Sequence, residues 1–207
     1  MQVMHRAKTS SFDDRMALLG ATSCEREAAA RIRATEEPAA LIGELGSEPP
    51  QDLIEAHADH PERAAETWEG RAALLVTRRL AELDTPESRI ALRELSRRPT
   101  GILKKSAVQA LAESRDPTVA PDLIAALEDT DVITRRWAVE GLGTLRHRAA
   151  VPHIAARLSS DSAGERVNAA KALAQIGDPA ALKAVRQARR RELRPWVRFR
   201  MPRRAGS

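Results

Sequence analysis

Glu55, His57, His60 and Glu62, in the run EAHADHPE, form the densest grouping of side chains able to hold a metal or move a proton. Two histidines three residues apart can share one helix face, but a site needs a third and a fourth ligand, and none stands nearby. Pro61 follows the pair and marks a helix boundary, which argues for helix-end histidines rather than ligands. Cys24, the single cysteine, has Glu25 beside it and no lysine or histidine to favour a thiolate, so nothing marks it as a nucleophile. Gly141-x-Gly143 sits in a helix-end pattern rather than after a strand, the wrong setting for a dinucleotide loop. No catalytic residue, metal or cofactor is therefore expected. What remains are two places where arginine meets aromatic: Arg135-Arg136-Trp137, and the terminal segment holding Trp196, Arg198, Phe199 and Arg200.

The elements that carry these residues must be helical. Hydrophobic side chains make up 43% of the 207 residues but aromatics only 2%, so the interior has to be built from Ala, Leu, Ile and Val, as in closely packed helices. One cysteine excludes an internal disulfide and a cysteine-rich zinc site and points to a reducing compartment. The opening MQVMHRAKTSSFDD lacks the apolar core of a signal peptide, and no apolar run reaches membrane-spanning length; a soluble, cytoplasmic protein without a membrane span is expected. Charge is unevenly placed. From Arg186 onward nine arginines face one acid, Glu192, a local +8 within a total of +5, which leaves −3 on residues 1–185.

An internal period of 31 residues organises the chain. KKSAVQALAES (104–114), RRWAVEGLGTL (135–145) and RVNAAKALAQI (166–176) align without a gap, placing Ala107, Ala138 and Ala169 in one column and Leu111, Leu142 and Leu173 in another. Leu123, Ile154 and Val185 keep the same spacing, and Val76, Leu80 and Leu92 supply a weaker earlier copy. Each period holds two amphipathic patterns of helical spacing, separated at Asp116-Pro117 and Asp178-Pro179, where Asp suits an N-cap and Pro the first turn. Each period is thus a helical hairpin.

The stretches TRRWAVEGLGTL, ERVNAAKALAQIGDPAAL and DPTVAPDLIAAL resemble the short, roughly 30-residue HEAT-like repeats of the type also found in phycobilisome lyases. The resemblance is good over 101–185, fair over 70–100 and lost before that. It implies an all-α fold, a right-handed α-solenoid of antiparallel hairpins with first helices on the convex side and second helices on the concave side. The expected organisation is an N-terminal segment at 1–22, partly disordered; a degenerate helical cap at 23–69, built from SCEREAAARIRA (23–34), EPAALIGELG (37–46) and PQDLIEAHAD (50–59); four repeats at 70–100, 101–131, 132–162 and 163–193; and a basic tail at 194–207. It also implies that the basic column Lys104, Arg135, Arg166 pairs with acidic loop residues between repeats, with Asp116, Asp131 and Asp178 as candidates.

Repetition recasts the arginine motifs. Arg135 shares its column with Lys104 and Arg166 and so reads as packing, whereas Trp137 departs from its siblings Ser106 and Asn168 and either fills a groove or recognises a partner. Arg186 and Arg189 replace the apolar residues of the earlier second helices, as the end of an array requires. In the tail, residues 196–201 alternate so that an extended strand would set aromatic and aliphatic groups opposite arginines. Such a tail could contact nucleic acid, an anionic membrane or an acidic protein, or fold back on the body. The inferred concave face is small and alanine-rich, with Asp122, His153 and Arg157 among its polar groups. The expectation is a non-enzymatic protein–protein interaction module or scaffold whose partner is another protein, bound through Asp122, His153, Arg157, Trp137, Trp196, Arg198, Phe199 and Arg200. The alternatives are nucleic-acid binding, through the tail or in the manner of the HEAT-like DNA glycosylases, and a bilin lyase-like chaperone role. No arrangement matching the glycosylases' catalytic Asp and Trp is found, nor the His-Glu pairs of the iron-binding HEAT-repeat hydroxylases.

Overall fold

Among residues 23–99 and 101–203, which the computed structural model describes, twelve α-helices and three short 3-10 turns carry the fold and no residue is in a strand. The segments expected to be disordered (1–22) and to end the tail (204–207) lie outside the described residues. No described helix is long and apolar enough to cross a membrane. Contacts divide the chain into two units, the first ending at Ser106 and the second beginning at Ala107.

In the first unit, α1 (Ser23–Ala34), α2 (Pro38–Glu44), α3 (Gln51–Ala56) and α5 (Pro86–Ser96) all pack on α4 (Pro61–Leu83). The reason is in the spacing along α4: Ala64, Trp68, Ala72, Val76 and Leu80 recur every four residues and are all buried, a stripe long enough to serve four neighbours. Trp68 donates its indole N–H to Ser47 Oγ at 3.1 Å, so the one large aromatic among this core's described residues has its polar atom satisfied. Glu25 on α1 is fully buried and accepts a hydrogen bond from Arg71 on α4. The boundary expected between residues 69 and 70 has no counterpart in the helices, because α4 runs through it unbroken. The third of the expected upstream helices is shorter than 50–59, ending at Ala56.

The second unit is a stack of hairpins. Helix α6 (Ile102–Ser114) contributes its residues from Ala107 onward; there follow α7 (Ala120–Ala126), α8 (Val132–Thr144), α9 (Val151–Ala156), α10 (Ala163–Ile176) and α11 (Pro179–Arg191). The aligned columns form its core: Ala107, Ala138 and Ala169 are fully buried, as are Leu142, Leu173, Leu123 and Ile154, with Leu111 and Val185 nearly so. Burying each such leucine contributes about 2 kcal/mol. The repeats therefore build an all-α solenoid, each hairpin burying its apolar face on the next.

Small residues set how closely the first helices approach. A Cβ added to Gly141 would lie 2.8 Å from the Ala112 Cα, and one added to Gly143 would lie 2.9 Å from the Ala172 Cα. Helix α8 thus offers bare backbone to a neighbour on each side. This is the structural role of the Gly141-x-Gly143 pair, which sits inside α8.

Hairpins also share a backbone feature that their side chains hide. Asp84, Arg115, Arg146 and Gly177 follow one another at 31 residues and all have left-handed backbones, with φ of 50°, 57°, 50° and 72°. Each ends a first helix and reverses the chain, a place where glycine is at ease and other residues are strained. The next position then starts the second element: the side chains of Thr85, Asp116 and Asp178 accept N–H groups from Ser88, Thr118 and Ala180.

Candidate functional site

The repeated geometry of the second unit begins with its arginines. Arg135 donates from Nε to Glu165 Oε1 at 2.7 Å and from Nη1 to the carbonyls of Asp129 and Thr130, both at 2.8 Å. One period on, Arg166 donates from Nε to Glu192 Oε2 at 2.7 Å and from Nη1 to the carbonyls of Ser160 and Asp161, at 2.8 and 3.1 Å. Lys104 reaches the Pro99 carbonyl at 3.4 Å, the equivalent loop position. Each arginine thus ties the loop before its own helix to an acid further along the stack. The acids found on Arg135 and Arg166 are glutamates, Glu165 and Glu192; Asp116, Asp131 and Asp178, expected in that role, are helix N-caps. These aspartates accept backbone N–H groups at their own helix starts, while Glu165 and Glu192 reach back to the arginines.

Both glutamates are held as carboxylates. Burial pushes the Glu165 carboxyl up, but hydrogen bonds from Ser160 and Arg135 and the charges of Arg135 and Arg157 outweigh it and keep it below the usual range. For Glu192 the hydrogen bond from Arg166 dominates over burial, with the Arg194 N–H and the charges of Arg166 and Arg194 lowering it further. Glu192, the lone acid of the terminal arginine run, is therefore the last acceptor of the ladder.

The face formed by the second helices holds three of the expected binding residues. Asp122 on α7 is half-buried and His153 on α9 is exposed. Arg157, just after α9, is half-buried and pairs with Glu128 at 2.7 Å. Around them Pro121, Ala125, Pro152 and Ala156 are exposed. Charge changes sign along this row: residues 117–131 carry Asp122, Glu128, Asp129 and Asp131 and no base, whereas 179–193 carry Lys183, Arg186, Arg189, Arg190 and Arg191 against Glu192. Trp137 lies on the first helix of its hairpin, apart from this row; it is half-buried, with the Arg136 guanidinium 5.9 Å from its ring centroid.

The tail corrects the extended reading. Pro195–Arg200 is a helix, α12, and it packs on α10 with Val197 and Met201 buried. Pro195 fits a first helical turn, and the i, i+4 pair Val197 and Met201 makes one apolar face; a lone extended strand would have left its backbone groups unpaired. The helix sends Trp196 and Phe199, three residues apart, outward at 54% and 81% exposure, with Arg198 and Arg200 also exposed. Leu193, between α11 and α12, is 93% exposed. Arg189 donates to the Arg198 carbonyl at 3.2 Å, closing one side of a cleft of about 390 Å³ between the two helices.

Among its described residues the first unit brings no such grouping together. His57 follows the end of α3 and its Nδ1 lies 3.1 Å from the Leu53 carbonyl, while His60 precedes α4 with Nδ1 3.2 Å from Glu62. Pro61 opens α4, so the two histidines sit on the connection between helices and not on one helix face. Partial desolvation, then Asp52 and Glu27, push the Cys24 thiol up, away from the thiolate. Among the described residues no group of three or more His, Cys, Asp or Glu is placed to hold a metal ion.

Comparison with known proteins agrees with the periodicity. Residues 120–201 match the family of HEAT repeats, and residues 103–129 match the PBS lyase HEAT-like repeat. A stretch of 78 residues is 37% identical to the uncharacterized phycocyanin operon protein Z of Pseudanabaena tenuis; it covers 38% of this chain and 39% of that relative. The match thus spans about two fifths of the relative's length.

Proposed function

We propose that these HEAT-like repeats form a non-enzymatic scaffold that binds another protein along the second-helix face, with Asp122, His153 and Arg157 among the contacts. The observation that carries this reading is the row of exposed small side chains, Ala125, Ala156, Pro121 and Pro152, running from an acidic end to a basic one. Small side chains let a partner helix or loop approach the backbone, and a graded field fixes which way round it lies. Arg157 pairs with Glu128 and so keeps the acidic end from being uniformly repulsive to an anionic partner. Native pull-down of the full chain should recover a stoichiometric protein, and Ala156→Arg should abolish its capture while leaving the melting temperature unchanged. Capture unaffected by Ala156→Arg and by His153→Glu would remove the second-helix face from the reading.

A second reading is favoured by the lyase-type repeat over residues 103–129 and by the phycocyanin operon context in the relative's name. On it the chain attends the loading of bilins onto a phycobiliprotein. Incubation with a bilin and an apo-phycobiliprotein should then give a coloured adduct faster than without the chain, and an unchanged rate would close this reading.

A further inference from the structure

The end of a solenoid ordinarily presents water with a polar surface, because no further repeat covers it. Here the end is unusual in a specific way. Leu193 and Phe199, the two most exposed large apolar residues described, line the same cleft as the guanidinium-bearing Arg189, Arg198 and Arg203. The one acid in the lining, Glu192, is already bound to Arg166 and to the Arg194 N–H at 3.0 Å, so it leaves the cleft's positive charge largely uncompensated. Apolar walls and clustered guanidinium groups call for a ligand that is apolar in the middle and anionic around it.

We infer that this cleft docks an acidic segment of a partner protein, with one apolar side chain of that segment seated between Leu193 and Phe199. The inference rests on the scaffold reading, since it adds a second contact for the same class of partner. Three observations select this occupant. The feature is concave, and Trp196 lies outside its lining, so it fits a protruding side chain better than the flat surface of a bilayer. Only one aromatic lines it, and Leu193 and Pro195 offer no flat ring on which a base could stack. Residues 107–185 of the same unit carry nine bases and ten acids, so the concentrated positive charge is confined to the terminal segment and matches a short acidic segment better than a long polyanion.

Fluorescence anisotropy with the full chain tests this. The probe is a labelled peptide of aspartates and glutamates flanking a single phenylalanine, compared with the same peptide carrying glycine at the centre, a single-stranded oligonucleotide and phosphatidylserine vesicles. The phenylalanine peptide should bind, lose affinity as salt shortens the range of the arginines' field, and exceed the glycine peptide by about tenfold. Phe199→Ser and Leu193→Ser, both at exposed positions, should each remove that advantage with the melting temperature unchanged. Arg198→Glu should abolish binding of both peptides. Equal binding of the two peptides, no binding at low salt, or tighter binding of the oligonucleotide or the vesicles overturns the inference. If Ala156→Arg abolishes capture of the cellular partner while Phe199→Ser leaves it intact, the scaffold reading stands and the cleft falls. The converse result would keep the cleft and move the scaffold's main contact.

Discussion

In the first unit a single 23-residue helix, α4, packs against four others, and its stripe from Ala64 to Leu80 is buried throughout. In the second unit every hairpin meets the next through the same few columns, Ala107, Ala138 and Ala169 among them. Both solutions bury their apolar residues, but they fix geometry differently. The first unit relies on individual contacts with no counterpart elsewhere, such as Glu25 with Arg71 and Trp68 with Ser47. The second relies on a motif repeated in place: a basic residue on loop carbonyls, an acid further on, and a left-handed turn at every hairpin. Unique contacts specify one arrangement and fail singly, whereas repeated contacts share the load between neighbours.

Substitutions can break that contrast or sharpen it. The largest effect is expected from Arg71→Met, which strips a guanidinium from the fully buried Glu25 and should cost about 3 kcal/mol in urea unfolding, with faster amide exchange in α1 and α4. A loss well under that would show that the first unit does not depend on its unique pair. Arg135→Met, which removes one rung and leaves the Arg166 rung in place, should cost less, about 2 kcal/mol. A double-mutant cycle with Glu165→Gln should return a coupling of about 1 kcal/mol or more.

Tight packing should tell next. Gly141→Ala and Gly143→Ala would each be stabilising by about 1 kcal/mol on helix propensity alone, but their Cβ atoms run into Ala112 and Ala172. A net loss of about 1–2 kcal/mol is expected, and a gain would mean that the hairpins can slide apart freely. Acid should separate the units as well. The carboxyls of Glu165 and Glu192 are held below their unfolded value, so their stabilisation is present above the ordinary carboxylate range, about 4.3, and is lost as pH falls through the lower folded values. A Glu165→Gln, Glu192→Gln chain should be less stable than the parent at neutral pH and converge with it in acid; parallel pH profiles would contradict this. The smallest effect is a gain: Arg146→Gly relieves a left-handed non-glycine residue and should stabilise by about 1 kcal/mol or less.

How far the sequence reveals these features follows from where the information sits. The core of the second unit is legible because Ala, Leu and Ile recur at 31 residues, and burial depends on side-chain type. The left-handed column is invisible to the same comparison, since Asp84, Arg115, Arg146 and Gly177 share a conformation and no chemistry. The basic column is legible and its acids are not: Glu165 lies 30 residues beyond Arg135, but Glu192 lies only 26 beyond Arg166. In the terminal segment two patterns compete, alternation over 196–201 and the four-residue spacing of Val197 and Met201, and docking on α10 decides for the helix. The period does not reach back to α1, so the burial of Glu25 had no sibling residue to announce it. Of the cleft's lining, Arg198 and Phe199 stand out in the sequence beside their neighbours Trp196 and Arg200; that Leu193, Arg189 and Arg203 join them in one cleft depends on how α12 folds back.

The arginine ladder also has a direction. Each rung reaches forward for its acid, and the last one closes on Glu192 in the terminal segment. A copy of residues 132–162 inserted between residues 131 and 132 would set its own arginine against Thr134 and not against a glutamate, and a period appended after Arg191 would separate Arg166 from Glu192. Each forward acid thus belongs to one place in this array, and lengthening it by a copied repeat would leave a rung without its carboxylate.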